Sequence, residues 1–327
     1  MAYNDVKNNH AFSYCHGRYG DVWQITFSEP TQEAKKHPFQ TKDLPQMWGV
    51  YHWKNGLQLW PQHERIEMQQ QALVTGAAHR LGRAMALYLA GRGFDVAVHY
   101  AGSHDDAAAL VAQIQKMGRK AVALQADLIH EEQTQSLLPR VVEALGGPLT
   151  ILVNNASIFE YDSLTSATRQ SWDRHMESNL RAPFVLTQAF AAQAPKTIID
   201  LAGEPVSQGL VVNMIDQRVR KLTPEFMTYS LAKMGLWALT QTSAQALAPD
   251  IRVNAIGPGP TLQGARQSTQ HFERQRAATV LGRGANPADI TAALGYFLDA
   301  PSVTGQLICV DGGQHLGWKT PDILGVE

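Results

Sequence analysis

Tyr229 and Lys233 stand four residues apart. On a helix that spacing puts both side chains on one face. A free tyrosine, with a pKa of about 10, is a poor proton donor and acceptor at neutral pH. A neighbouring ammonium favours the phenolate and lowers that value, which makes the pair a credible acid–base unit. The same spacing also arises by chance on many helices. A second group of residues points to a nucleotide. In Thr75-Gly76-Ala77-Ala78-His79-Arg80-Leu81-Gly82, glycine at 76 permits a tight turn and Gly82 permits close helix–strand packing. The N-terminus of the helix that follows is a site for pyrophosphate.

The next strand end discriminates between cofactors. An NAD site usually carries an acid there for the ribose hydroxyls. Here the run is His99-Tyr100-Ala101-Gly102-Ser103, with no carboxylate until Asp105. An acid would repel a 2′-phosphate, so its absence favours NADP(H). Arg80 adds positive charge in the right region, or is an ordinary surface arginine.

These groups need a scaffold that holds them at strand ends. Apolar runs at 72–75, 96–100, 121–125, 151–154, 211–215, 252–256 and 306–310 read as strands. Helical stretches begin between them near Leu81, Asp105, Glu132, Thr168, Phe226 and Ala288. Such alternation predicts an α/β fold, a doubly wound parallel sheet of Rossmann type with helices on both faces. Ligands then bind beyond the carboxyl ends of the strands. Residues 197–201 also look like a strand; 211–215 is preferred as the fifth because of its distance to Tyr229.

Composition changes near residue 68. The first 67 residues hold four of seven Trp and five of twelve His, with few aliphatic residues. No helical or strand period is sustained there, and Pro30, Pro38, Pro45 and Pro61 interrupt it. The expected organisation is therefore an N-terminal extension, residues 1–67, followed by one domain over 68–327. Three readings of the extension compete: an accessory module, a poorly ordered segment, or a stretch included by a wrong start at Met1 instead of Met68. Its lack of aliphatic material favours the latter two.

The 44% apolar and 17% charged content is that of an ordinary globular protein. A net charge of -1 gives no reason to expect nucleic acid or an anionic membrane as partner. Cys15 and Cys309 offer neither a disulfide framework nor metal-ligand spacing, so no metal is expected. No signal-peptide h-region opens the chain and no apolar run reaches roughly 18 residues. The expectation is a cytoplasmic protein.

The order of motifs over about 70 to 318 resembles the short-chain dehydrogenase/reductase family. The matching pieces are the glycine loop, Ala126-Asp127-Leu128, Asn154-Asn155-Ala156, Asn179, Tyr229 with Lys233, and Pro258-Gly259. The resemblance implies that Asp127 contacts adenine and that Asn154 supports the central strand end and the cofactor. It implies that Asn179 orders a relay water and that Lys233 also grips the nicotinamide ribose. Leu81, Ala156, Pro258 and Gly259 would line the cofactor, and Thr261 would hold its carboxamide. Each has a plainer alternative: Asp127 could cap a turn, and the asparagines could be satisfied amides. The family further implies a homotetramer packed through helices near 168–192 and 226–247.

Most of that family place a serine about a dozen residues before the tyrosine. This chain has Asp216, thirteen residues before Tyr229. That substitution, Arg80 in the loop and the run from Asn154 to Phe159 are similar to the pteridine reductase branch, which includes dihydromonapterin reductases. Reducing a pterin C=N bond needs a proton at the ring nitrogen, and a buried carboxylic acid beside the Tyr–Lys pair can supply it. The resemblance implies that Phe159 stacks on the pterin, and that Ser157 and Arg80 bind its polar edge or the cofactor phosphates. Gly102 stands where related enzymes can carry an arginine, which leaves NADP selectivity to Arg80 and Ser103. Residues 261–279 should cover the substrate but show no readable pattern. Phe159 could equally be core, and Asp216 a loop cap. Two other functions remain open: reduction of an oxo-acyl, quinone or sugar substrate, and non-catalytic NADP(H) sensing.

Overall fold

In a computed structural model the described residues are 70–264 and 267–318, with the backbone of two strands farther upstream. The chain divides after Glu67 into two compact units. In the first, β1 (Trp48–Trp53) and β2 (Gly56–Pro61) pair antiparallel, with Trp53 opposite Gly56. This corrects the expectation of no strands there. Cys15, Pro30, Pro38, Pro45 and Met68 lie outside the described residues.

The second unit alternates strand and helix. Its first half contains β3 (Gln71–Val74), α1 (Arg80–Gly91), β4 (Asp95–Tyr100), α2 (His104–Lys116), β5 (Ala121–Gln125), α3 (Glu131–Leu145) and β6 (Ile151–Asn154). Then come α4 (Arg169–Met176), α5 (Ala182–Gln193), β7 (Ile198–Ile199), β8 (Pro205–Val206), β9 (Gly209–Met214) and α6 (Met227–Ala246). The unit ends with β10 (Ile251–Pro258), α7 (Thr269–Ala277), α8 (Pro287–Asp299) and β11 (Leu307–Val310).

Seven strands form one parallel sheet in the order β11-β10-β9-β6-β3-β4-β5. The Rossmann-type expectation holds. Burial on both faces explains why β3, β6 and β9 read as unbroken apolar runs. One core layer packs Met85 and Leu89 of α1 and Ile290 and Phe297 of α8 against Val74, Val98 and Val212. The other packs Leu137 and Val141 of α3 and Leu186 and Phe190 of α5 against Leu73, Leu152 and Val211. Residues 197–201 contribute only β7, which pairs with β8 in a separate hairpin, so β9 is the fifth sheet strand. The strand order reverses between β3 and β6, and that crevice is where a doubly wound sheet takes its ligand.

Candidate active site

The glycine loop leaves β3 and is held from both sides. Gly76 has φ 60°, a left-handed conformation that glycine adopts without strain. Its N–H donates to Nδ1 of the buried His99 at 3.0 Å, and Ala77 N–H donates to the His99 carbonyl at 2.8 Å. On the other side Asn155 Nδ2 donates to the carbonyls of Thr75 and Gly76, at 2.8 and 3.1 Å. The hydroxyl of Thr75 accepts the N–H groups of Asn155 and Ala156. A Cβ at Gly82 would lie 2.2 Å from the Gly76 carbonyl, so only glycine lets α1 begin this close to the turn. Leu81 packs against the core beside it.

Arg80 does not face Ser103. Its guanidinium donates to the carbonyls of Leu262 and Gln263, at 2.9 and 2.7 Å, tying the glycine loop to the stretch after β10. The residue that meets Ser103 is His79, with Nε2 2.6 Å from the hydroxyl and 3.6 Å from Asp106. At the β4 end Ser103 is thus paired with His79 and not with the expected Arg80. Asp127 turns the chain after β5: its carboxylate accepts the N–H of Ile129 at 3.2 Å. The plainer reading of Asp127 is therefore the visible one.

At the end of β6, Asn154 donates to Asn213 Oδ1 at 2.8 Å, and Asn213 donates to Thr240 at 2.9 Å. This buried chain ties two central strands to α6, while Asn154 Oδ1 is left without a partner. Asn179 sits in a π-helical turn, Glu177–Arg181, between α4 and α5. Its amide clasps the main chain of Ile158 with two bonds of 2.8 Å, one to N–H and one to C=O. The side chain thereby holds the loop that carries Phe159. Gly259 presses on Asp311, where a Cβ would approach to 2.5 Å, just beyond Pro258 at the β10 end. The Thr261 hydroxyl donates to the Gly259 carbonyl at 3.1 Å.

The reacting centre is formed where β9 ends and α6 begins. Tyr229 donates its phenolic proton to Asp216 Oδ2 at 2.9 Å. The other carboxylate oxygen accepts the N–H of Arg218 at 2.8 Å. Lys233 donates to the Met214 carbonyl at 2.8 Å, and its nitrogen is 5.7 Å from the Tyr229 ring centroid. Loss of hydration raises the Asp216 pKa, against the pull of the Arg218 and Lys233 charges. It also raises that of Tyr229, reinforced by the Asp216 charge, while the Ser157 hydroxyl opposes the rise. Lys233 is brought down to about 8, again by burial. The expectation that Lys233 lowers the tyrosine value is not met. The ammonium is bonded to Met214, and the carboxylate, not the amine, is at the phenol.

Phe159 is 45% exposed and stands edge-on to Tyr229, with ring centroids 4.7 Å apart. One of its faces is covered by Phe226, 4.2 Å away and nearly parallel. Phe226 immediately precedes α6 at φ 57°, an uncommon conformation for a bulky residue. It is held there by its N–H donating to the Asp162 carbonyl at 2.8 Å. Behind it runs a buried chain. Glu160 N–H donates to His175 Nε2 at 3.1 Å, which leaves Nδ1 as the donor to Thr228 at 2.7 Å. Thr228 donates in turn to Asp162. This chain fixes the first turn of α6, and hence Tyr229, against the Phe159 loop. His79, His99, His175, Arg218 and Phe226 were not singled out from sequence. His99 and His175 were findable only as polar residues inside apolar elements.

Among the described residues no group of His, Cys, Asp and Glu could hold a metal ion, and no helix is long and apolar enough to cross a membrane.

Residues 70–274 match the family model for short chain dehydrogenases. The 3-oxoacyl-[acyl-carrier-protein] reductase FabG of Staphylococcus aureus is 31% identical over 256 residues, 77% of this chain and 100% of that protein. The crystal structure of FolM alternative dihydrofolate reductase 1 from Brucella suis, in complex with NADP, is 43% identical. That likeness covers 78% of this chain and 98% of that one, with a TM-score of 0.72. The landomycin C-6 ketoreductase LanV, with bound NADP and rabelomycin, is 30% identical over 76% of this chain and 97% of its own, with a TM-score of 0.67. The chain belongs to the short-chain dehydrogenase family and is an oxidoreductase of that type.

Proposed function

We propose that this protein is an NADPH-dependent reductase of a pteridine, taking a dihydropterin or dihydrofolate to the tetrahydro form. The observation that carries the reading is the 2.9 Å bond between the Tyr229 hydroxyl and Asp216, beside the half-exposed ring of Phe159. The glycine cradle fits a dinucleotide: Gly82 admits no Cβ, the start of α1 lies beside it, and no carboxylate ends β4. Gly76, Leu81, Gly82, Ala156, Pro258, Gly259 and Thr261 would hold it, with Lys233 at the ribose and His79 with Ser103 at the 2′-phosphate. When bound, NADPH supplies the hydride that goes to the ring carbon of the C=N bond.

The neighbouring ring nitrogen must then gain a proton. Burial favours the protonated form of Asp216, which can give that proton to the ring nitrogen and be reprotonated from solvent, while the Tyr229 hydroxyl 2.9 Å away holds the carboxyl in place. Phe159, 45% exposed, offers the substrate ring an aromatic surface beside the Tyr229 hydroxyl. Ser157, beside the phenol, orients the polar edge of the ring. Likeness to FolM at 43% identity supports a pteridine. Likeness to FabG supports the second reading, reduction of a carbonyl.

The test is NADPH oxidation against a panel of dihydropterins, dihydrofolate and oxo-acyl substrates, with Asp216→Asn alongside. Turnover of a dihydropteridine that falls about 100-fold or more in Asp216→Asn is expected for loss of a proton donor. Oxo-acyl turnover that ignores the substitution, with no pteridine turnover, would establish the second reading. Exposed Trp172 on α4, Phe184 on α5 and Leu231 on α6 support assembly as a homotetramer through those helices.

A further inference from the structure

Two residues beyond Asp216, the turn after β9 places an arginine at the pocket wall. The Arg218 guanidinium stands 4.8 Å from the Phe226 ring centroid and 5.9 Å from that of Phe159. Its Nη1 donates to the Thr223 hydroxyl at 2.8 Å. Among the described residues no carboxylate lies within ion-pair distance of it, whereas seven other arginines and lysines have such a partner; the nearest charge it acts on is that of Asp216, two residues away. A guanidinium carries five N–H donors in a fixed fork suited to a carboxylate, and here most of them are unspent.

The rings explain where the charge is held. Phe159 and Phe226 stack, and the guanidinium rests over both, an arrangement that fixes a cation without neutralising it. Asp216 and Arg218 then divide one turn between them. The first presents its carboxyl to the Tyr229 hydroxyl, and the second sets a positive fork beside the aromatic wall. Phe159 and Tyr229 touch edge-to-face, so a substrate ring would lie beside them and not between them, with this fork next to it and a substituent on that ring as its counter-ion.

We propose that Arg218 is a specificity-determining residue that binds a carboxylate on the side chain of the substrate, so that the site favours a folate-type dihydropteridine over one with a neutral side chain. The proposal rests on the pteridine reading above and sharpens it. It requires no new chemical step, only a charge-assisted hydrogen bond at a distance from the reacting carbon.

The test compares dihydrofolate with a dihydropterin bearing a neutral hydroxyalkyl chain, at saturating NADPH, in the wild type, Arg218→Met and Arg218→Lys. The ratio of kcat/KM for dihydrofolate to that for the neutral substrate should fall at least about tenfold in Arg218→Met, mainly through KM, as for one lost charge-assisted bond. Arg218→Lys should restore part of it. In the wild type, added salt should raise KM for dihydrofolate and leave KM for the neutral substrate nearly constant. An unchanged ratio in Arg218→Met, or equal salt sensitivity of both substrates, overturns the proposal while the pteridine reading stands. The salt comparison uses the unaltered protein and is decisive even if Arg218→Met does not fold. If the wild type reduces neither substrate, the pteridine reading itself has failed.

Discussion

Replacing His99 with leucine removes the two hydrogen bonds through which one imidazole ties the glycine loop to the sheet. Gly76 N–H can only donate, so Nδ1, 3.0 Å away, carries no proton. Nε2 is then the protonated nitrogen, and it donates to the Ala126 carbonyl at 2.9 Å. In His99→Leu both Gly76 N–H and Ala126 C=O lose their partner. Each unsatisfied group costs roughly 1–3 kcal/mol. Gly76 is only half-buried, so water recovers part of its loss and a total of about 2–4 kcal/mol is expected. Urea denaturation measures this directly, and NADPH titration by fluorescence should show weaker binding, because the displaced N–H groups belong to the cofactor turn. Acid probes the same contact without mutation. Burial pushes the imidazole down from 6.5 to about 4. The unfolded chain therefore takes up this proton more readily than the folded one. The contribution is complete above about pH 6.5 and is lost as pH falls through about 4, an amount of order 3 kcal/mol. Imidazole NMR should find the Nε2–H tautomer persisting to below pH 5. Titration near 6.5, or a leucine variant within about 0.5 kcal/mol of wild type, would refute the account of the loop.

Three other outcomes follow from the site. Tyr229→Phe should lower turnover by about 100-fold or more with NADPH affinity kept, as for loss of an acid–base group; unchanged turnover removes Tyr229 from the chemistry. Gly82→Ala puts a methyl 2.2 Å from the Gly76 carbonyl, so cofactor affinity should collapse by at least about tenfold, read by the same fluorescence titration. NADPH should bind more tightly than NADH, and His79→Ala should narrow the difference; equal affinities in the wild type would overturn the inference from the β4 end.

The sheet was legible because strands buried on both faces are mostly apolar, and β3, β4, β6 and β9 are, apart from a polar residue or two in each. The hairpin upstream was not, because an aromatic-rich segment with prolines lacks the two-residue alternation by which strands are recognised. At the site, Asp216, Tyr229, Lys233 and Phe159, singled out by motif, come together in the structure, while residues acting through a tertiary partner were missed. Asp216 announced itself by replacing an expected serine. Nothing local in the sequence says that His99 will meet Gly76, 23 residues away, or that His175 will meet Thr228, 53 residues away. The bonds of Arg80 and Asn179 were hidden for the same reason: they run to Leu262, Gln263 and Ile158, segments whose proximity only the fold creates.

The three titrating groups of the centre share one cause and differ in sign. Desolvation raises Asp216 and Tyr229 toward their neutral, protonated forms and lowers Lys233 toward its neutral amine. For Asp216 the folded state holds its proton more tightly than the unfolded chain does. Its contribution to stability is thus present at low pH and lost as pH rises through the folded-state value. A carboxyl selected for stability alone would be placed the other way, paired and depressed, as Glu131 is by Arg181. A serine at 216 could polarise a carbonyl, but its hydroxyl holds its proton far too tightly to give it to a ring nitrogen. The fold thus tolerates at Asp216 a burial that works against it in neutral solution, which is what the proposed role as proton donor to a weakly basic nitrogen requires.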